Sequence, residues 1–519
     1  MLTLIDFIIV SAYALALLGL ALWVSRGSFG RQKTTQDYFL AGQALPWWAV
    51  GASLVAANIS AEQIIGMSGS GYAIGLAIAS YEWMAAITLI LVGKFLLPVF
   101  LKLNIQTMPQ FLEQRFDQRV RQVLAMFWLA VYVFVNLTSI LWLGALAMNT
   151  MTGLDQGLGL MALGTFAVLY SLHGGLKAVA LTDILQVTLL VAGGLLISWI
   201  LLDRIALGAG PWRGFEQLML AAPEKFDMIL APSNPHYMSL PGLSVLLGGM
   251  WIMNLSYWGF NQYIIQRALA ARSLVEAQKG IAFAAFLKLL MPLIVVLPGI
   301  AMFVLEPALE RPDQAYPLAM TLLPTGIKGL VFAALLAAIV SSLASMINSI
   351  STIFTLDVYA KVAGNQGQSH LVRVGRSVAV AAMMLAMICA KPLLGNFDQA
   401  FQYIQEFTGF FTPGIVVIFL TGIFWRRTTP NAALTAAIGS AVFSLVLKLL
   451  WPELPFIDRV GLVFLLCLAL AILISLRGNN KDATGGIDLG TIEFQTQTSF
   501  NGSAVVVVLI LLALYTTWW

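Results

Sequence analysis

The stretch ASLVAANISAEQIIGMSGSGYAIGLAIASYEW, residues 52–83, is apolar enough to enter a bilayer, yet it is interrupted where a simple span would be unbroken. Asn58, Ser60, Glu62 and Gln63 fall together, and glycines follow at 66, 69, 71 and 75. A charge at the bilayer centre costs roughly 2.5–3.5 kcal/mol on insertion scales, so such residues face a cavity or a partner. Backbone that leaves the helix at membrane depth is tolerated under the same condition. Its freed carbonyls are then ligands for a hard cation such as sodium. The glycines admit a second reading, close helix–helix packing through small residues.

The rest of the chain puts this stretch in a membrane. Of 519 residues, 60% are apolar and 10% charged, against roughly 25% charged in soluble domains. That excludes a soluble enzyme and a disordered chain. The net charge of +4, from 28 Lys+Arg and 24 Asp+Glu, calls for no nucleic-acid partner. Cys389 and Cys467 lie in apolar runs, which argues against a disulfide framework or zinc site. Apolar runs near 4–24, 47–76, 78–101, 119–149, 157–172, 179–203, 240–266, 279–306, 326–360, 373–393, 398–425, 430–451, 455–476 and 503–519 predict an all-α polytopic membrane protein with about 14 transmembrane helices. A β-barrel would show short alternating segments instead. Residues 1–23 carry Asp6 and no basic n-region, and read as a retained first span. With the N-terminus outside, 18 of the Lys and Arg residues fall in cytoplasmic loops and 8 in outer ones. The positive-inside bias therefore places both termini outside the cytoplasm.

A second interruption lies at GGMWIMNLSYWGFNQY, residues 248–263, where Asn254, Ser256 and Tyr257 fall in mid-span. Segments two and seven each open a run of five spans. Broken helices at corresponding positions of two halves point to a transporter with inverted repeats and a midplane site. The expected organisation is an extra span and loop at 1–46, a first repeat at 47–203, an outer loop at 204–239, a second repeat at 240–425 and peripheral spans at 426–519.

Segment nine, AALLAAIVSSLASMINSISTIFTLDVY, crowds serines onto one helix. Ser341 and Ser345 share a face, with Ser342 adjacent. Hydroxyls in a helix can simply bond the preceding turn, or they can complete an oxygen shell opposite a broken helix. Glu82, Lys288 and Gln405 are isolated polar residues in apolar spans. Glu82 and Lys288 can pair with each other, and with amides and a tyrosine they also suit a polyhydroxyl ligand. Asp183 is either a further candidate or a helix N-terminal carboxylate favoured by the dipole. His173, His236 and His370 form no ligand pair, and no P-loop, H-E-x-x-H or G-x-S-x-G is present, which argues against an enzyme and against ATP-driven transport.

The stretches 37–83, YWGFNQYIIQRALAARSLVEAQKG at 257–280, 328–359 and QAFQYIQEFTG at 399–409 resemble the sodium/solute symporter family, most closely its bacterial galactose-carrying branch. Asn-Gln-x-x-x-Gln-Arg at 261–267 is the most specific match. The resemblance implies a leucine-transporter-like 5+5 inverted-repeat core with broken helices. It implies sugar held by Asn58, Gln63, Glu82, Asn254, Lys288 and Gln405, with Tyr257 stacked beneath the ring as inner gate. Met67, Tyr81 and Phe401 would close over it from outside. Sodium, as transported ion, would sit on carbonyls of Ala56, Ile59 and Ala338 and hydroxyls of Ser341 and Ser342, with Asp183 on its exit route. One departure is Ala85, where that branch has a serine contacting sugar.

The resulting expectation is a sodium-coupled importer of galactose or glucose in the cell membrane, with sugar, sodium and lipid bilayer as partners. The alternatives are a sodium symporter of the same family for another solute, such as sialic acid, inositol or proline, and a non-transporting membrane sugar sensor.

Overall fold

The computed structural model describes residues 2–26, 45–105, 108–173, 176–364, 367–395, 397, 399–478 and 486–519. It is all-helical, and among the described residues the only β pairing is the isolated bridge Leu45–Ala271. Among the described residues, nine helices are long and apolar enough to cross a membrane, or eleven when each sharply bent pair is taken as one span. The bent pairs are Trp47–Asn58 with Glu62–Ala73, at 67°, and Ala400–Thr408 with Thr412–Phe424, at 47°. The helices Leu4–Arg26 and Gln156–His173 and the fragmented stretch from Ser244 to Leu269 supply the other three predicted segments. Of these, Leu4–Ala16 and Gln156–Ser171 are apolar but shorter.

Burial separates core from periphery. The apolar window within Ile327–Ala363 is 72% buried, whereas that of Thr498–Thr517 is 17% buried and turns its side chains to lipid. The helix Leu274–Leu305 lies along both halves of the first broken helix. Small residues permit this approach: a Cβ on Gly51 would stand 2.6 Å from the Gly280 carbonyl, and one on Gly71 would stand 2.7 Å from the Val296 carbonyl. Of the two readings open for the glycines after Gln63, close packing is the one realised. Gly75 adds a backbone requirement, since its φ of +103° is one that side-chain-bearing residues rarely adopt.

Both predicted interruptions are real breaks. The helix Trp47–Asn58 ends with Ile59 extended at φ −72°, ψ 98°. Ser60 Oγ then accepts from the Glu62 amide at 3.2 Å and starts the second half. In segment seven the chain passes through a π turn, Ser256–Phe260, and becomes extended at Asn261, φ −81°, ψ 123°, before Gln262–Leu269. The 261–267 motif ties these breaks to their surroundings. Gln262 Oε1 accepts from the Met108 amide at 2.6 Å, and Arg267 Nη1 donates to Ser53 Oγ at 2.8 Å.

The stretch 204–239 is partly ordered into the helix Pro211–Ala221. Lys225 Nζ donates to the carbonyls of Tyr72 and Ala73 at 3.0 and 2.6 Å, closing the C-terminal end of the first broken helix. Its burial lowers the ammonium pKa from the ordinary value.

Candidate substrate and cation site

The first break leaves carbonyls without partners. The last helical-type bond there runs from the Ile59 amide to the Val55 carbonyl at 2.8 Å. The carbonyls after Val55 are therefore among those a helix end leaves unsatisfied. Ser341 and Ser342, on the helix Ile327–Thr352, face this end across a cavity of about 20 Å³ whose wall includes Ala56, Asn58, Ser60, Ser341, Ser342 and Ser345. That volume suits one water-sized species. Ile59 and Ala338, the other two predicted sodium ligands, are buried and are not among the residues of this wall; Ala338 lies one turn before the two serines. Two other hydroxyls of this helix are spent locally. Ser349 donates to the Ser345 carbonyl at 3.0 Å and Ser351 to the Gly375 carbonyl at 2.8 Å. Asn348 accepts from Ser171 at 2.7 Å.

Beside this lie two adjoining cavities of about 90 Å³ each. Asn58, Gln63, Tyr257, Phe401 and Gln405 line both, while Tyr81, Glu82 and Asn254 line one. Six of the seven residues predicted to hold substrate are thus on one wall. The seventh, Lys288, lies behind it, fully buried. Its ammonium donates to Glu82 Oε2 at 2.6 Å and to Asn58 Oδ1, and stands 4.9 Å from the centre of the Trp258 ring. Gln63 Nε2 donates to the other Glu82 oxygen and to Met67 Sδ at 3.3 Å. A carboxylate at membrane depth is thereby compensated by an ammonium and an amide. The Asn254 amide is turned to the Met250 carbonyl at 3.1 Å. The Gln405 amide makes no hydrogen bond to a described residue and is free for a ligand.

Two tyrosines extend the network. Asn58 Nδ2 donates to Tyr257 Oη at 3.0 Å, and the Tyr263 hydroxyl donates to the same oxygen at 2.7 Å. On another side, Tyr81 and Phe401 meet edge to face, ring centres 5.1 Å apart, and Met67, fully buried, accepts from Gln63. Two of the three predicted outer-gate residues are therefore in contact. Ala85, one turn from Glu82, is buried and on neither cavity wall. Asp183 lies on the helix Leu176–Ile205, and its side chain is outside the described residues.

Sequence reasoning left several wall residues without a role. Asn261 accepts from the Tyr132 hydroxyl at 2.7 Å and lines both larger cavities, as do Thr408 and Thr412. Glu62 lines the small cavity and one of the large ones. Its place in the first interruption was the signal that could have found it. Nothing in the sequence points Tyr132 at Asn261, 129 residues away.

A polar cavity enclosed between two helix breaks, in a bundle of apolar helices, defines a secondary transporter. The comparisons with known proteins place it further: the sodium:solute symporter family model matches residues 38–439, and the chain belongs to that family. It is 50% identical to the sodium/glucose cotransporter of Vibrio parahaemolyticus over 537 aligned positions, covering 100% of this chain and 99% of that one. It is 33% identical to sodium/myo-inositol cotransporter 2 of Mus musculus, covering 85% of this chain and 69% of that one. Among solved structures, it superposes on a Na+-coupled sialic acid symporter in a substrate-bound outward-open state with a TM-score of 0.78, at 24% identity, over 92% of this chain and 98% of that one. It also matches Mhp1, a nucleobase-cation-symport-1 family transporter, in a closed conformation, with a TM-score of 0.56 at 14% identity, over 91% and 99% of the two chains. At such identities the likeness shows the fold, which is the leucine-transporter-like one expected.

Proposed function

We propose that this chain imports a hexose, galactose or glucose, coupled to sodium by alternating access. The observation that carries the reading is the Glu82 carboxylate on a cavity wall otherwise furnished with the neutral amides of Asn58, Gln63 and Gln405, next to the small oxygen-lined cavity at the first break. Sugar hydroxyls both donate and accept, so a carboxylate and amides suit them together. A hexose brings no net charge against the compensated Glu82–Lys288 pair. The aromatic ring of Tyr257 suits the C–H face of a pyranose. The name of the 50% identical relative supports sugar and sodium alike.

Sodium, as cargo, is assigned to the carbonyls of Ala56, Ile59 and Ala338 with Ser341 and Ser342. Bound there, it ties the first broken helix to the serine helix and favours the state open to the outside. Sugar then displaces water from Asn58, Gln63, Glu82, Asn254 and Gln405. Lys288 holds Glu82 and Asn58 in place from behind and reaches the sugar only if that network rearranges. Met67, Tyr81 and Phe401 close the outer side, and Tyr257 opens the inner one. The repeats at 47–203 and 240–425 rock about this centre, and Asp183 serves the sodium on its way out. Each sodium entering gains about 2.3 kcal/mol per 100 mV of membrane potential. Both termini lie outside the cytoplasm in this scheme. The chain moves its substrates unchanged and is not an enzyme.

The test is equilibrium binding of labelled galactose to purified protein in sodium, with unlabelled glucose, myo-inositol and sialic acid as competitors. Displacement by glucose and not by sialic acid is expected. Displacement by sialic acid alone would overturn the choice of sugar.

A further inference from the structure

The sodium shell assigned above consists of neutral oxygens, two hydroxyls and three carbonyls. Among the described residues, the one carboxylate on the wall of its cavity is Glu62. Glu62 also lines the neighbouring substrate-side cavity, and Asn58, Glu62 and Tyr257 are the three residues common to both walls. Its Oε1 accepts from Ser139 Oγ at 2.6 Å and from Asn136 Nδ2 at 3.4 Å. Ser139 Oγ lies equally near the Val135 carbonyl, at 2.6 Å, so its one proton is shared between that carbonyl and Glu62. Oε2 carries no hydrogen bond to a described residue, and among the described residues no cationic side chain pairs with Glu62. The cation on the same wall, Arg267, is engaged with Ser53 Oγ at 2.8 Å.

A carboxylate at membrane depth, open to a cavity and lacking a cationic partner, is costly to keep. A monovalent cation in that cavity would relieve the cost. We infer that Glu62 is a second, charge-bearing subsite for the coupling cation: it supplies the negative charge that the neutral shell lacks and receives sodium as it moves between the shell and the substrate side. The inference rests on the sodium-symport reading. It assigns Glu62 to the cation and leaves Glu82 to the sugar. Two unit charges several ångström apart, at the effective dielectric of a protein site, change an affinity by roughly ten- to a hundredfold.

The experiment is a sodium titration of the purified full-length protein in detergent, read by binding of radioactive sodium and by sodium-dependent thermal stabilisation, which follows occupancy without transport. Wild type, Ser342→Ala and Glu62→Gln are compared, with potassium as the control ion. Saturable sodium binding that is weakened in both variants, by roughly tenfold or more in Glu62→Gln, is expected. Circular dichroism and a monodisperse elution profile serve to show that each variant is folded. Wild-type sodium affinity in a folded Glu62→Gln, with Ser342→Ala weakened, would overturn the subsite and leave the symport reading standing. No saturable sodium binding in the wild type would overturn both. Should the glutamine variant not fold, Glu62→Asp carries the test, since its shorter arm draws the charge back towards its own helix and away from Ser139. Unaltered sodium affinity in that variant would also overturn the subsite.

Discussion

The Asn58 amide donates to the Tyr257 hydroxyl across 3.0 Å, and this one hydrogen bond joins the two helix breaks. Asn58 is the last residue of Trp47–Asn58, and Tyr257 sits in the π turn just before the extended residue Asn261. Lys288 grips Asn58 from behind, and Tyr263 supports Tyr257 at 2.7 Å. Each break therefore holds the other, and a movement that separates the two broken helices must part this pair.

Tyr257→Phe keeps the ring and removes the oxygen that accepts from both Asn58 and Tyr263. Faster dissociation of bound galactose is expected, by roughly three- to tenfold for one to two hydrogen bonds of ordinary net strength. The dissociation rate of labelled sugar from purified protein measures it; an unchanged rate would mean that the pair does not hold the inner side closed.

Gln405→Ala should abolish galactose binding and leave thermal stability nearly untouched. The amide has no hydrogen bond to a described residue to lose, so the change in stability is expected to stay within about 0.5 kcal/mol. Wild-type sugar affinity in the folded variant would remove Gln405 from the site.

Lys288→Met strands the Glu82 carboxylate without its ammonium, in surroundings where both side chains are almost wholly withdrawn from solvent. Breaking such a pair from one side costs about 3–5 kcal/mol. Adding Glu82→Gln is expected to recover a large part of that stability without restoring sugar binding. Thermal unfolding of the two single variants and the double variant checks this. A Lys288→Met protein as stable as wild type would show that the pair is not compensating a buried charge.

How much of this was legible in the sequence differs between backbone and side chains. The break at Ile59 announced itself because Asn58, Ser60, Glu62 and Gln63 are too polar for an unbroken span, and the break at Asn261 did so through Asn254, Ser256 and Tyr257. The pairing of Glu82 with Lys288 was readable too, since two opposite charges in apolar helices have few other partners. What the sequence could not carry was direction. The sequence sets Lys288 among the substrate ligands, whereas in the structure its ammonium is engaged with Glu82 and Asn58 and it is not among the residues of the cavity wall. The glycines at 69 and 71 fit a cavity and a packing face equally well until Asp313 and Val296 are seen against them. The link between Tyr132 and Asn261 depends on how two distant helices cross, which periodicity alone does not specify.

Ser342→Ala removes one hydroxyl from the oxygen-lined cavity and is expected to raise the sodium concentration needed for half-maximal uptake, with sugar affinity at saturating sodium little changed. A titration of uptake against sodium measures it, and an unchanged requirement would place the sodium shell elsewhere.

The most direct test of sodium-coupled sugar transport is uptake of radiolabelled galactose into proteoliposomes, driven by an inward sodium gradient and then by potassium in its place. Accumulation that requires sodium and is competed by glucose is the expected result. Equal uptake in potassium, by protein shown to be folded and inserted, would contradict it.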